Sequence, residues 1–325
     1  MNSGLPDSSA TLDRLLSRPC GGDDIPHLTL PAQYHDQAAL QSIPLLEVPG
    51  LRMQFETDRP ELLSVVADIF SAGRPLMVPP ADEPARLTVS AVSGPGMPGN
   101  AYSQVSVDGQ LIYTARSEGI LVNYLETVIT DKLARHFTDY VLFHSGALAS
   151  NGKGILLPGA SGNGKSTTTT CLAMSGFTYY SDEMAICSPD GRRLFPFLKV
   201  PSLKTGGRQV VESAFQDAAK TVYRPPTESV TYFRPVSLPT DQEATNGVEI
   251  KYVLLPKRPE NGETRLEPIK KSEALHVLVQ ESLDLVLRHT DGFQAIMAIL
   301  ESADCYTVQM ADVHRGVELV RELTG

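Results

Sequence analysis

The chain has 325 residues, of which 42% are hydrophobic and 20% charged, and this composition excludes a largely disordered protein. Lys and Arg number 28 against 38 Asp and Glu, and the resulting net charge of −10 argues against a nucleic-acid-binding protein. The sequence opens with no secretory signal and holds no apolar run near the roughly 18 residues of a membrane helix. With four scattered cysteines and no metal-like spacing, we expect a cytoplasmic protein without a membrane partner.

The first 138 residues predict a tail followed by a small α+β subdomain. Residues 1–40 are rich in Pro, Ser, Gly and Asp and are expected to be loosely ordered. In the subdomain, residues 41–138, some segments alternate apolar and polar residues as strands do, and others carry apolar residues at helical spacing. Its predicted elements are strands at 51–55 and 87–92, a helix at 61–70, a hairpin of 101–107 and 110–115 around Asp108-Gly109, and a helix at 118–136.

Residues 139–325 predict a catalytic domain in which strands and helices alternate. A strand at 140–148, the turn Asn151-Gly152 and a strand at 155–157 lead into a glycine-rich loop. This order predicts an α/β fold with a phosphate site at the carboxyl edge of a sheet. Later predicted elements are a helix at 165–174 stopped by Gly176, a strand at 177–180, a hairpin of 248–255 and 264–269, helices at 272–287, 292–301 and 312–323, and a strand at 306–310.

The glycine-rich loop fits the P-loop pattern G-x-x-x-x-G-K-[ST] at every fixed position. Glycines let backbone N–H groups approach the phosphates of ATP, Lys165 adds a charge there, and the Ser166 hydroxyl is a ligand for Mg²⁺. A chance glycine-rich turn is the alternative, but a strand before the loop and a helix after it favour nucleotide binding. The predicted nucleotide-binding residues are Gly159, Ala160, Ser161, Gly162, Asn163, Gly164, Lys165, Ser166 and Thr167.

A pair of carboxylates, Asp182 and Glu183, follows the next predicted strand, 17 residues beyond Lys165. If that strand ends level with the P-loop, one carboxylate can hold Mg²⁺ and the other can accept a proton. An exposed acidic loop is the alternative, and the nearby P-loop makes the catalytic interpretation the better one. The short spacing also argues against an ABC-type ATPase, whose metal-binding carboxylate follows an inserted helical region.

A histidine and several cations complete the set of candidate catalytic residues. If Asn151-Gly152 forms a two-residue turn, His144 faces Gly159 and could orient or tune Asp182. A structural histidine, whose ring finds its hydrogen-bond partners within the strand pair, is an equally good interpretation. Phosphoryl transfer usually needs a further positive group, and we favour Lys204 because it follows the carboxylate pair among loop residues. The other candidates are Lys199, Arg208, Arg224, Arg234 and Arg288.

Three segments together resemble the C-terminal domain of the HPr serine kinase family. They are residues 143–148 (FHSGAL), 154–166 (GILLPGASGNGKS) and 176–183 (GFTYYSDE). The resemblance extends in particular to HPr-kinase-like proteins of bacterial peptide-biosynthesis clusters, including lasso-peptide tailoring kinases. It covers about 140–205 closely and 50–325 loosely. It implies a P-loop kinase core of the HPr kinase/phosphoenolpyruvate carboxykinase type, preceded by the N-terminal α+β subdomain.

The resemblance also implies roles for individual residues. Asp182 would accept the proton of a seryl hydroxyl, Glu183 and Ser166 would bind Mg²⁺, and His144 would support the catalytic carboxylate. The Glu-Ile-Arg-Gly-type loop of true HPr kinase/phosphorylases, which carries a further metal-binding glutamate, is replaced here by residues 195–207. This departure argues against HPr itself as the acceptor. The subdomain 41–138 does not match the regulatory domain of HPr kinases and could instead recognise the acceptor.

The function predicted from the sequence is therefore an ATP-dependent kinase for a serine or threonine of a peptide or protein. Two alternatives stay open: a kinase for a small metabolite, and a non-catalytic ATP-dependent switch. The carboxylate pair favours an enzyme, because a switch needs a metal ligand but no proton acceptor. The size of the acceptor would separate the two kinases, and the resemblance makes a homo-oligomer plausible.

Overall fold

The structure, a computed structural model, describes residues 40–48, 51–70, 85–93, 103–197, 199–216, 220–225, 230–259 and 262–325. The N-terminal tail, residues 1–40, was predicted to be loosely ordered, and almost all of it lies outside the described residues. The helices of the described residues are α1 (Pro60–Ile69), α2 (Glu118–His136), α3 (Lys165–Met174), α4 (Thr205–Ala214), α5 (Asp241–Asn246), α6 (Lys271–Glu281), α7 (Leu285–Ser302) and α8 (Val313–Thr324). The strands are β1 (Gln41–Val48), β2 (Leu51–Thr57), β3 (Ala85–Ser93), β4 (Ser103–Val107), β5 (Gln110–Ala115), β6 (Val141–Ser150), β7 (Lys153–Pro158), β8 (Thr178–Ser181), β9 (Met184–Cys187), β10 (Arg193–Phe195), β11 (Ser202–Lys204), β12 (Lys220–Tyr223), β13 (Val230–Arg234), β14 (Val248–Pro256), β15 (Arg265–Pro268) and β16 (Asp304–Gln309).

Residues 41–138, the predicted N-terminal subdomain, contribute a five-stranded sheet in the order β1-β2-β3-β4-β5. β2 and β3 are parallel and α1 connects them, whereas the other neighbours are antiparallel. The predicted hairpin is confirmed: Asp108 and Gly109 both have positive φ, as a tight two-residue turn requires. The predicted helix at 118–136 is also confirmed, and the Ser117 side chain caps it by accepting from the backbone N–H of Ile120.

The second sheet holds the predicted P-loop strand and gives the chain its mixed α/β fold. Its order is β10-β9-β6-β7-β14-β16-β15, and β8 also pairs with β6. β7, β14 and β16 are parallel, and β6 runs antiparallel to β7 through the turn Asn151-Gly152. The pairs Ser150–Lys153 and Ser145–Pro158 set the register that places His144 beside Gly159, as predicted.

Helices cover both faces of this second sheet. Along β7, Ile155 and Leu157 contribute to one hydrophobic core, whereas Leu156 points to the other. Helices α3 and α8 pack in the first core, and α6 and α7 pack in the second. The alternation follows from the two-residue period of a strand, and a strand buried on both faces has a continuous apolar sequence. The P-loop therefore leaves the sheet from its buried centre.

The core on the α3 side continues into the N-terminal subdomain. Phe55, Leu62 and Leu125 belong to the same buried cluster as Leu172 of α3. A three-stranded sheet, β11-β13-β12, lies between the two parts, and the N–H of Val200 donates to the carbonyl of Ile69. The residues on either side of position 138 are thus packed against each other rather than joined by an isolated linker.

Two predictions about the last third of the chain are wrong. The segments 248–255 and 264–269 do not pair as a hairpin, because β16 inserts between β14 and β15. The predicted helix 272–287 is interrupted: α6 ends at Glu281 and α7 begins at Leu285. The break comes from pairing with β6, a tertiary contact that helical periodicity does not report.

Two further findings concern membranes and thiols. Within the part of the chain that the structure describes, no helix is both long and apolar enough to cross a membrane. Three of the four cysteines, Cys171, Cys187 and Cys305, are buried free thiols. Burial raises the pKa of the Cys171 thiol to about 12, which keeps it protonated and unreactive at neutral pH.

The contact between β6 and α3 gives a first testable prediction. A Cβ atom on Gly146 would lie 2.1 Å from Thr169 Oγ1 and 3.2 Å from Thr169 Cβ. Gly146→Ala is therefore expected to destabilise the protein by about 1–3 kcal/mol, measured by chemical denaturation. Thr169 Oγ1 is buried without a hydrogen-bond partner, so Thr169→Ala loses no such bond and should restore stability in the double variant. A single variant as stable as the wild type would contradict this packing.

Candidate active site

The P-loop connects β7 to α3 with a backbone that only glycine adopts easily. Gly162 has φ 92° and Gly164 has φ 90°, and Gly164 is the N-cap of α3. A glycine at this position leaves space in front of the first N–H groups of the helix, where phosphate binds in P-loop proteins. Arg258, just beyond β14, donates from Nε to the carbonyl of Gly162 at 2.8 Å.

Lys165 lies over the imidazole ring of His144. Its Nζ atom is 3.0 Å from Nε2 and 3.2 Å from Nδ1, and it donates to the carbonyls of Gly159 and His144 at 3.1 and 3.3 Å. The hydrogen-bonding directions of the two ring nitrogens diverge within the ring plane. One ammonium close to both nitrogens must therefore lie against the face of the ring, which leaves the plane of the ring to other partners.

Two glutamates lie beside the ring nitrogens of His144. Glu281 Oε2 is 3.0 Å from Nδ1, and Glu183 Oε1 is 3.4 Å from Nε2. Burial and the charge of Lys165 lower the pKa of His144, but the hydrogen bonds and charges of the glutamates outweigh them and raise it above its usual value. Burial would raise the pKa of Glu183; the hydrogen bond and charge of His144, with the charges of Lys199 and Lys165, hold it well below its usual range.

Asp182 lies on the opposite side of the chain from Glu183. It is completely buried; Oδ1 accepts from the Tyr179 hydroxyl at 2.9 Å and pairs with Lys199 Nζ at 3.2 Å. Oδ2 accepts from the backbone N–H of Ser202 at 3.2 Å. Successive side chains of an extended segment alternate, so the two carboxylates separate. The structure thus brings His144, Lys165 and Glu183 together, and Asp182 is not among them.

Lys199 connects Asp182 to the N-terminal subdomain. Its side chain is completely buried, and Nζ pairs with Glu126 Oε1 of α2 at 2.9 Å as well as with Asp182. Glu126 in turn accepts from the Tyr232 hydroxyl at 2.6 Å. Burial would lower the pKa of Lys199, but the charges of Asp182, Glu126 and Glu183 raise it above its usual value. Lys199 therefore remains an ammonium that neutralises buried carboxylates, and it is not exposed to bind phosphate.

Lys204, the favoured additional cation, is exposed at the N-cap of α4. This helix lies beside the first turn of α3, since a Cβ on Gly207 would lie 2.5 Å from Thr167 Oγ1. Among the other candidate cations, Arg208 and Arg224 pair with Glu212, and Arg234 pairs with Asp68. The side chain of Arg288 lies outside the described part of the chain.

Two residues of the site were not anticipated from the sequence. Glu281 was placed inside an uninterrupted helix, although Ser282 and Asp284 are residue types that often precede a helix and could have indicated a break. Arg258 follows β14 without any motif, and only the adjacency of β14 and β7 brings it to the P-loop.

The site fits a magnesium ion that arrives with a nucleotide. Among the described residues no group of three or more His, Cys, Asp or Glu side chains could hold a metal ion. Magnesium is commonly held by one or two protein oxygens together with phosphate oxygens and water. Ser166 and Glu183 offer a hydroxyl and an ionised carboxylate of this kind, and the P-loop glycines leave room for phosphate.

Comparison with known proteins identifies one relative by sequence. No protein-family model matches the chain. It is 27% identical over 201 residues to the HPr kinase/phosphorylase of Malacoplasma penetrans, which covers 58% of this chain and 62% of that protein, less than two thirds of its length. The HPr(Ser) kinase/phosphatase of Coxiella burnetii aligns in structure over 56% of this chain and 98% of its own, with 11% identity and a TM-score of 0.23, a likeness too weak to carry an argument. This sequence similarity, over a little more than half of the chain, supports an HPr kinase-like family.

Proposed function

We propose that this protein is an ATP-dependent kinase that transfers the γ-phosphate to a seryl or threonyl hydroxyl of a peptide or protein. The observation that carries the proposal is the convergence of Lys165, His144 and Glu183 at the P-loop. Phosphoryl transfer needs mainly charge and position, because its transition state is loose and its charge is spread over oxygens. The relative from Malacoplasma penetrans, an HPr kinase/phosphorylase, supports a kinase-type activity.

ATP would bind with its phosphates at residues 159–167, and Ser166 and Glu183 would hold Mg²⁺. When bound, the ion would neutralise charge on the β- and γ-phosphate oxygens. The strongly lowered pKa of Glu183 suits a metal ligand better than a proton acceptor, because a weakly basic carboxylate accepts protons poorly. Lys204, exposed beside the first turn of α3, remains our candidate for a further cation near the transferred phosphate.

The surroundings of Asp182 bear on its expected role as the group that accepts the proton of the acceptor hydroxyl. Its carboxylate is fully buried and bound by Tyr179, Lys199 and Ser202, and these partners favour a structural role. We propose instead that Asp182 anchors the segment that carries Glu183. Glu183→Gln should then abolish transfer and weaken the binding of Mg²⁺ with ATP, whereas Asp182→Asn should mainly reduce stability. Wild-type transfer by Glu183→Gln would contradict this assignment.

The acceptor would be a peptide or protein rather than a nucleic acid, since the net charge of −10 opposes a phosphate backbone. One candidate class is the precursor of a peptide natural product, such as a lasso peptide, which the segments around the P-loop suggested. We further propose a cytoplasmic location, consistent with three buried free thiols, and self-association as a homo-oligomer.

The test is a transfer assay with γ-labelled ATP, Mg²⁺ and a size-fractionated extract of the producing cell. Label on a peptide or protein, absent with Glu183→Gln, would support the proposal and identify the acceptor. Label only on small molecules would replace it with a metabolite kinase. ATP binding without transfer in any fraction, and without release of phosphate, would replace it with a nucleotide-dependent switch.

A further inference from the structure

The segment between α6 and α7 lies along β6 as a short extra strand. Ser282 forms an antiparallel bridge with Phe143, and the N–H of Leu283 donates to the carbonyl of Leu142 at 2.9 Å. The Asp284 carboxylate also accepts from the N–H of Leu142 at 3.3 Å. These residues occupy the edge of β6 that β7 leaves when its chain enters the P-loop. The helix ends at Glu281 because the chain must become extended to make this pairing.

The same pairing brings Glu281 to His144. With Ser282 opposite Phe143, the next pair in an antiparallel register is Glu281 and His144. Their side chains are 12% and 13% exposed, and Glu281 Oε2 lies 3.0 Å from Nδ1. The backbone therefore fixes the position of this contact, so it is not the chance meeting of two flexible side chains at the surface.

The position of Glu281 determines which way the His144 ring points. The ring turns about its Cβ–Cγ bond, and a half-turn would still present a face to Lys165 but would move Nδ1 away from Glu281. The hydrogen bond at Nδ1 therefore selects one of the two ring orientations. With Nδ1 on Glu281, Nε2 faces Glu183 Oε1 at 3.4 Å. A partner on one ring nitrogen commonly fixes the orientation of the other in this way.

We propose that Glu281 is a positioning residue for phosphoryl transfer. It would hold the His144 imidazole so that Nε2 supports the Glu183 carboxylate beside the P-loop lysine. The proposal rests on the kinase function proposed above, but the hydrogen bond on which it depends can be tested without any activity. It assigns a role to the end of α6, which carries no recognisable motif.

The first test compares Glu281→Ala, Glu281→Gln and the control Glu273→Ala, an exposed residue of the same helix. The assay measures phosphate release from γ-labelled ATP with Mg²⁺, with water as the acceptor. Glu281→Ala should lower kcat by about 10- to 100-fold with little change in the KM for ATP, by analogy with residues that orient metal-binding histidines. Glu281→Gln should retain most of the rate, because its amide oxygen can still accept from Nδ1. Equal losses in both variants, or none in Glu281→Ala, would overturn the proposal.

The second test observes the imidazole directly by ¹⁵N NMR of the nucleotide-free protein, with His144 assigned through a His144→Gln variant. We expect the Nδ1 resonance of His144 to move in Glu281→Ala and to stay close to its wild-type position in Glu273→Ala. Identical spectra in wild type and Glu281→Ala would overturn the proposal. A wild-type protein that transfers phosphate to no acceptor would instead refute the kinase, while this spectrum still decides the role of Glu281.

Discussion

Replacing Lys165 with alanine is expected to lower the rate of γ-phosphoryl transfer by at least about a hundredfold, the usual effect of removing one donor that stabilises a transition state. In the nucleotide-free protein the Lys165 ammonium lies against His144 and donates to the Gly159 carbonyl. The ammonium therefore already lies beside the P-loop, which would hold the phosphates. Its loss would leave the carboxylates of Glu183 and Glu281, both beside His144, with one cation fewer to balance their charge.

The fold should survive this substitution. Lys165 is the first residue of α3, where alanine is an excellent helix former, and the helix packs on the sheet through residues such as Leu172. The measurement is phosphate release and acceptor labelling, with circular dichroism as the check on folding. Lys220→Ala, an exposed lysine of β12, serves as the matched control. Wild-type turnover by Lys165→Ala would refute the role of the P-loop in catalysis.

Features of the site that depend on nearby residues could be predicted from the sequence. The turn at Asn151-Gly152 needs two residues with positive φ, and Asn followed by Gly supplies them most readily. That turn fixes the register of β6 on β7 and so places His144 beside Gly159. The limits of α3 are likewise local, because a P-loop glycine precedes it and Gly176, at φ 96°, follows its last turn.

Features that depend on distant pairing could not be predicted in this way. The interruption after Glu281 arises because Ser282 pairs with Phe143, a residue 139 positions earlier in the chain. The sequence around it keeps a helical pattern of apolar residues, so periodicity alone favours a continuous helix. The insertion of β16 between β14 and β15 is a similar case, since a turn-like sequence favoured direct pairing of the two segments.

The two carboxylates show how a motif can identify residues without identifying their roles. Asp182 and Glu183 are adjacent, and both were expected at the phosphate. Which of the two faces the P-loop depends on the alternation of the chain and on the partners that meet each side. Asp182 is bound by Tyr179, Lys199 and the backbone of Ser202, and Lys199 is in turn paired with Glu126 of α2. No spacing rule connects them before the fold brings them together.

Replacing Lys199 with methionine is expected to lower the free energy of unfolding by about 3–5 kcal/mol, the range found when one partner of a buried ion pair is removed. Lys199 is completely buried and pairs with Asp182 at 3.2 Å and Glu126 at 2.9 Å. Methionine fills a similar volume but leaves Asp182 as a buried, unneutralised carboxylate. Denaturant unfolding measures the change, and Lys220→Met on an exposed strand controls for the substitution itself.

The loss of stability in Lys199→Met should depend on Asp182, because the buried carboxylate that loses its cation is the cause of that loss. Asp182→Asn removes that charge while its side-chain oxygen can still accept from Tyr179. The double variant of Lys199→Met and Asp182→Asn should therefore be destabilised by clearly less than the sum of the two single changes. Additive losses would mean that the ammonium contributes mainly through packing or through Glu126, which is 12% exposed and also accepts from Tyr232. A coupled result would establish that the segment leading to Glu183 is held in place by charge, through a lysine that also connects it to the N-terminal subdomain.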